Sequence, residues 1–160
     1  MTDAPNAGSP LPDCPPARID EKGPTREGKL YTHPEILRVF NGGIQPAMQR
    51  RGFATFIASS ARSLAEQQRA YQAYVSGKGG RAAPPGYSAH NYGLAIDVVI
   101  RAPNGSDPWA WAKTGAGKAA YHLLHQVAKH YGLENIAAVA PDDPFHLQAP
   151  NWRRLAGLSR

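Results

Sequence analysis

Ser88-Ala-His90-Asn-Tyr-Gly93-Leu-Ala-Ile-Asp97-Val-Val-Ile100 decides how this chain is read. A histidine and an aspartate flank a glycine, and the aspartate sits in an apolar run of Leu94, Ala95, Ile96, Val98, Val99 and Ile100. The run predicts a buried strand that starts after Gly93. A carboxylate in such a strand costs free energy unless a cation or strong hydrogen bonds compensate it. Further on, Asp143-Pro-Phe-His146 supplies a second carboxylate and a second histidine. Two histidines and an aspartate form the three-ligand set of a catalytic zinc, which leaves the fourth position to water. His90, Asp97 and His146 are therefore candidate ligands. Asp143, three residues before His146, is the candidate general base for that water. The competing reading of the His-Asp pair is a structural hydrogen bond.

Working outward, Phe53-Ala-Thr-Phe-Ile-Ala58 predicts a second buried strand. Ser63 and Glu66 have the spacing of a capping box, which starts a helix over Leu64 to Val75 that stops at Gly77-Lys-Gly-Gly80. Apolar residues between Tyr31 and Arg51 predict two helices, with Asn41-Gly-Gly43 as the break between them. Residues 101–114 read as a loop pinned by Trp109 and Trp111. A helix from Ala116 to Tyr131 presents Ala120, Leu124, Val127, Ala128 and Tyr131 as its apolar face, with Gly132 as its stop. Short strands are expected at Ile136–Ala140 and Phe145–Leu147, and a last helical turn over Asn151–Leu158 with Trp152 inward. Helices and strands mix without βαβ alternation, so the fold class is α+β: one compact domain with a small, mainly antiparallel sheet.

The 160 residues suit a single core. Residues 1–28 hold six of the fifteen prolines and few large apolar side chains, and read as a flexible leader before a domain at 29–160. The lone Cys14 excludes an internal disulfide framework, and its place among Pro12, Pro15 and Pro16 argues against a thiol nucleophile. Met1-Thr-Asp-Ala-Pro5 has neither the basic start nor the apolar core of a secretory signal, and no run has membrane-spanning length. The net charge is +6, and residues 1–28 carry three basic and five acidic side chains, so the positive excess lies in the body. Such a body favours anionic partners: nucleic acid, anionic lipid surfaces or bacterial wall polymers. No zinc-finger cysteines and no aromatic platform for nucleic acid accompany that charge.

Arg62 stands between the strand at 53–58 and the following helix, where a cation can project into a cleft and stabilise an oxyanion. A surface or helix-start arginine is the plain alternative. His122 and His125 fall with Gln126 and Lys129 on the polar side of their helix and read as solvated, and His33 reads as a helix boundary. No HExxH and no Ser-x-x-Lys occurs, and Gly115-Ala-Gly-Lys118 lacks the spacing of a phosphate-binding loop.

Four elements in order, Arg62-Ser-Leu-Ala-Glu66-Gln67, Ser88-Ala-His90, Gly93-Leu-Ala-Ile-Asp97 and Asp143-Pro-Phe-His146, resemble the zinc peptidases of the D-alanyl-D-alanine carboxypeptidase and L-alanyl-D-glutamate endopeptidase family, the VanY-like M15 peptidases. Pro84-Pro-Gly-Tyr87 adds to the likeness, which covers about residues 30–150. The resemblance implies a Hedgehog/DD-peptidase-like fold and Zn²⁺ on His90, Asp97 and His146. It implies Asp143 as general base, Arg62 as the transition-state arginine, and Ser88, Tyr87 and Gln67 as substrate contacts. It also implies action on the stem peptide of bacterial peptidoglycan. Nothing in the sequence suggests more than a monomer, and neither nucleic acid nor stable membrane insertion is expected. An aspartate at 143, followed after the histidine by Leu147-Gln148, is similar to the endopeptidase branch. The short form is similar to a phage endolysin, made in a host cytoplasm and released to the wall by a separate system. A D-alanyl-D-alanine carboxypeptidase and a non-catalytic wall-binding module are the alternatives.

Overall fold

Five of the six residues of Ala95–Ile100 are buried, and Asp97 alone keeps partial exposure. In the computed structural model, which describes residues 10–136 and 142–158, this run is the central strand. In chain order the elements are a hairpin of β1 (Thr25–Arg26) and β2 (Lys29–Leu30), α1 (Pro34–Val39), a π-helical turn (Phe40–Ile44), α2 (Gln45–Arg50), β3 (Thr55–Ser59) and α3 (Leu64–Val75). A 3₁₀ turn (Ala89–Tyr92), β4 (Ala95–Ile100), a second 3₁₀ turn (Pro103–Gly105), α4 (Pro108–Trp111), α5 (Gly115–His130), β5 (His146–Gln148) and α6 (Trp152–Leu155) follow. The main sheet has the order β3-β4-β5 and is antiparallel throughout. The chain is α+β, as its mixed pattern predicts.

Register places the chemistry. Alternate β4 residues point to opposite faces. Ile96, Val98 and Ile100 join Leu147 in the main core, with Ile36, Ile44 and Met48 from the first helices and Tyr121, Leu124 and Ala128 from α5. Asp97 lies on the other face. It pairs with His146 on one side and Ser59 on the other, because a bulge between Ile57 and Ser59 shifts β3 by one residue. A smaller core of Ala89, Leu94, Ala95, Ala149 and Trp152 closes that face.

The capping box forms as read: Ser63 Oγ accepts from Glu66 N at 3.1 Å and Glu66 Oε1 from Ser63 N at 2.9 Å. The apolar face of α5 is buried throughout. Two expectations change, and one lies largely outside the described residues. Asn41-Gly-Gly43 does not break the first helical stretch; it continues as the π-helical turn, with Gln45 N donating to Phe40 O. The Tyr131 ring fills the space above Gly43, where a Cβ would lie 2.8 Å from it, so this glycine serves close packing. The leader expected at 1–28 is, over residues 10–28, laid against the body. Leu11, Cys14, Ala17 and Ile19 pack on the core, Tyr131 Oη donates to Pro12 O at 2.7 Å, and Gly23 meets Gly93 backbone to backbone. Each residue buries little alone, and together they tie the segment down. The strand expected at 136–140 falls, from 137 on, outside the described residues; next to it, Glu134 bridges Gln148 as an antiparallel extension of β5. Among the described residues no helix is long and apolar enough to cross a membrane.

Candidate metal centre

Ser88 begins the local structure that presents His90. Its Oγ accepts from His90 N at 3.2 Å and starts the 3₁₀ turn, which Gly93 ends in the left-handed region at φ +68°. A Cβ on Gly93 would also lie 2.9 Å from Gly23 Cα, so conformation and space both require glycine here. The turn leaves His90 3% exposed, with its ring over β4. His90 Nε2 is 3.3 Å from Asp97 Oδ1, and His146 Nδ1, from the neighbouring strand, is 3.6 Å from the same oxygen. The two imidazoles meet edge to face with centroids 5.0 Å apart.

The outer hydrogen bonds decide which ring nitrogens carry protons. His90 Nδ1 is 2.8 Å from the Ser60 carbonyl, which can only accept, so Nδ1 holds the hydrogen and Nε2 turns a lone pair to Asp97. Gln148 Nε2 donates to Glu134 Oε2 at 3.0 Å, which turns Gln148 Oε1 toward His146 Nε2 at 2.7 Å. His146 Nε2 is then the donor, and its Nδ1 lone pair also faces Asp97. With both rings neutral, three acceptors converge with no hydrogen between them. A proton on His146 meets part of this need. Burial alone lowers its pKa, but hydrogen bonds to Asp97 and Gln148 outweigh that and raise it. Burial likewise pushes the Asp97 carboxyl up, and the attraction of the His146 and His90 rings in their protonated forms overrides it and holds it well below the usual carboxylate range.

A divalent cation meets the whole need. The candidate donor atoms of His90, Asp97 and His146 lie within 4.8 Å of one another. Tetrahedral zinc with bonds of about 2.0–2.2 Å sets its ligands about 3.3–3.6 Å apart, which matches the two separations to Asp97. Two imidazoles and a carboxylate, each imidazole braced through its second nitrogen, are a zinc-type donor set.

The other predicted residues surround this triad. Arg62 Nη2 lies 3.8 Å from Asp97 Oδ2. Its guanidinium is held by neutral acceptors, Ser59 Oγ and Gln67 Oε1, both at 3.0 Å. Asp143 is half-buried on the turn before β5. Burial, followed by the Asp97 charge, raises its carboxyl pKa above the ordinary value, against the pull of His146, the Phe145 backbone amide and His90. Gln67 is 1% exposed with both ends of its amide engaged, so the structure sets it behind Arg62 as a brace and not at a surface a substrate reaches. Tyr87 is exposed. A groove of about 730 Å³ opens beside Arg62 between the β1–β2 hairpin and the start of α3, lined by Lys29, Tyr31, Ser60, Leu64, Glu66 and Asn91 among others.

Sequence reasoning missed Asn91, whose amide joins Arg62 O, Gln67 Oε1 and Gly86 N. It also missed Gln148 and Glu134 as the brace of His146. The spacing of His146 and Gln148, two apart on one strand face, was the available signal for the latter.

The family model of the VanY D-alanyl-D-alanine carboxypeptidases matches residues 30–138, more than half of the chain. The chain belongs to this family. The match takes in Arg62, His90 and Asp97 and ends before Asp143 and His146; β5 sets His146 opposite Asp97. A curated relative is the peptidoglycan L-alanyl-D-glutamate endopeptidase CwlK of Bacillus subtilis (strain 168), 32% identical over 106 residues. The aligned stretch covers 64% of this chain and 63% of that protein, so the chain spans less than two thirds of that relative's length. Among solved structures, the LdcB LD-carboxypeptidase superposes with a TM-score of 0.55 at 22% identity, over 96% of this chain and 76% of that one. A mutant of the vancomycin-resistance D,D-pentapeptidase VanY from a VanB-type cassette, in complex with Zn(II), gives 0.56 at 20% identity, over 91% and 90%. The VanY-type fold is thus shared with structures of both names.

Proposed function

We propose that the chain is a zinc-dependent peptidase of bacterial peptidoglycan, and that it cuts the L-alanyl-D-glutamate bond of the stem peptide. The observation that carries this is the convergence of three lone pairs from His90, Asp97 and His146, with a carboxyl of raised pKa, Asp143, beside them. Zn²⁺ held by the triad supplies Lewis acidity toward a water and a carbonyl. The chain's own groups do the rest. Asp143 takes the proton of the attacking water and returns it to the leaving amine; its raised pKa suits both transfers. Arg62, braced by Ser59 and Gln67, turns its guanidinium to the oxygen that gains charge as the carbonyl is attacked. Ser88 fixes the turn that carries His90, and Tyr87 beside it is free to meet substrate. The groove beside Arg62 takes the peptide, and Lys29 in its lining, over the Tyr31 ring, offers charge to the carboxylate of a glutamyl residue. The catalytic unit includes residues 10–28, which pack on it. The chain acts as a monomer, and the positive body draws it to anionic wall polymers in the role of a phage endolysin.

The name of the matching family favours a second reading, removal of terminal D-alanine. Mass spectrometry of purified peptidoglycan digested by the zinc-loaded chain separates the two. Fragments ending in L-alanine with new amino-terminal D-glutamate support the endopeptidase. Free D-alanine moves the activity to the carboxypeptidase reading, and intact wall contradicts both.

A further inference from the structure

The turn that carries Asp143 is held carbonyl by carbonyl. Asp143 O accepts from Asn135 Nδ2 at 3.1 Å, and His146 O from the same amide at 2.8 Å. Phe145 O accepts from Val98 N of β4 at 2.8 Å. Pro144 O lies 2.7 Å from His125 Nε2 on α5. A carbonyl only accepts, so His125 holds its hydrogen on Nε2. Burial pushes the pKa of His125 down, which keeps the ring neutral in this bond. His125 is thus half-buried and engaged, where its place on the helix predicts a solvated residue. Three of the four carbonyls are bonded to side chains from outside the sheet. Pro144 has no backbone hydrogen to offer, so the turn cannot fasten itself at that point.

We propose that His125 and Asn135 are positioning residues for Asp143: they fix the backbone at Asp143 and in the residues that follow it, and so aim its carboxylate at the metal centre. Neither touches that carboxylate in the bonds they make. The inference rests on the reading of Asp143 as general base. A base displaced by about 1 Å costs about a hundredfold in rate, so a turn held by two side chains controls turnover without binding substrate.

The test uses the full chain loaded with zinc and a soluble muropeptide substrate. His125→Ala removes the donor, and His125→Gln places an amide nitrogen near the position of Nε2. His125→Ala is expected to lower kcat about 10–100-fold with KM changed less than about threefold. Its zinc content stays that of the wild type, and amide hydrogen exchange over 142–147 quickens. His125→Gln recovers most of the kcat and the slow exchange. Asn135→Ala, which frees the Asp143 and His146 carbonyls, is expected likewise to lower kcat and quicken exchange over 142–147, which keeps the test valid if His125→Ala folds poorly. An unchanged kcat in His125→Ala, lost zinc, unchanged exchange, or a His125→Gln as impaired as His125→Ala each overturns the proposal. A wild-type chain that releases no fragment overturns the reading of Asp143 instead.

Discussion

Two carboxylates in this molecule have opposite surroundings. Glu35, on α1, meets only donors. Its Oε1 accepts from Arg18 N at 3.0 Å and Arg38 Nη2 at 2.8 Å, and its Oε2 accepts from Arg38 Nε at 2.8 Å. The same arginine reaches Pro16 O at 3.3 Å, so the pair ties residues 16–18 to the first helix. Asp97, at the middle of the sheet, is faced by imidazole nitrogens whose hydrogens point elsewhere. The first arrangement is complete within the chain and serves stability. The second is complete only with a cation, and such incomplete groups gather where a protein binds or reacts. The two regions meet where Gly23, from the tied-down segment, lies on Gly93, between His90 and Asp97 in the sequence.

The largest effect expected from this contrast is on turnover. Asp143→Ala should lower kcat by about 10²–10⁴-fold while zinc content stays that of the wild type. Steady-state kinetics on muropeptides with parallel metal analysis checks this, and undiminished turnover would remove Asp143 from the chemistry. The next effect concerns the meeting point. Gly93→Ala forces a left-handed alanine against the Gly23 backbone and should cost about 1–3 kcal/mol, read from urea unfolding. A loss within error would mean that the segment 10–28 lifts off freely. The smallest effect belongs to the self-sufficient pair. Glu35→Ala should cost about 1 kcal/mol or less, because the pair is partly exposed, and should leave zinc binding and turnover unchanged.

That pair also has a pH signature. Hydrogen bonding to Arg38 and the Arg18 amide lowers the Glu35 pKa from 4.5 to about 2. A depressed folded-state pKa gives stability that is present in full above the unfolded value and fades as pH falls from about 4.5 toward 2. Denaturant unfolding across that window should show less acid sensitivity in Glu35→Ala than in the wild type. Equal slopes would mean that the ion pair makes no difference in solution.

What was legible in the sequence follows the same contrast. An aspartate inside Ala95–Ile100 is anomalous by burial alone, so the triad was found from residues that break the local pattern. The helices α3 and α5 were legible because a capping box and an apolar stripe are local signals. The packing of residues 10–28 was not, because Leu11, Cys14, Ala17 and Ile19 are spread among prolines and carry no periodicity. Asn41-Gly-Gly43 misled because a glycine pair reads as a break until Tyr131, far along the chain, claims the space above it. Asn91, Asn135 and His125 act through backbone atoms of other segments, and nothing local to each residue announces that.

Calorimetric titration of Zn²⁺ into chelator-treated protein reads out whether His90, Asp97 and His146 hold a metal ion. One ion per chain is expected for the wild type, with loss of that site in His146→Ala while the protein still melts cooperatively. A wild type that takes up no zinc, or a His146→Ala variant that binds it as tightly, would mean that these three side chains do not form the metal site.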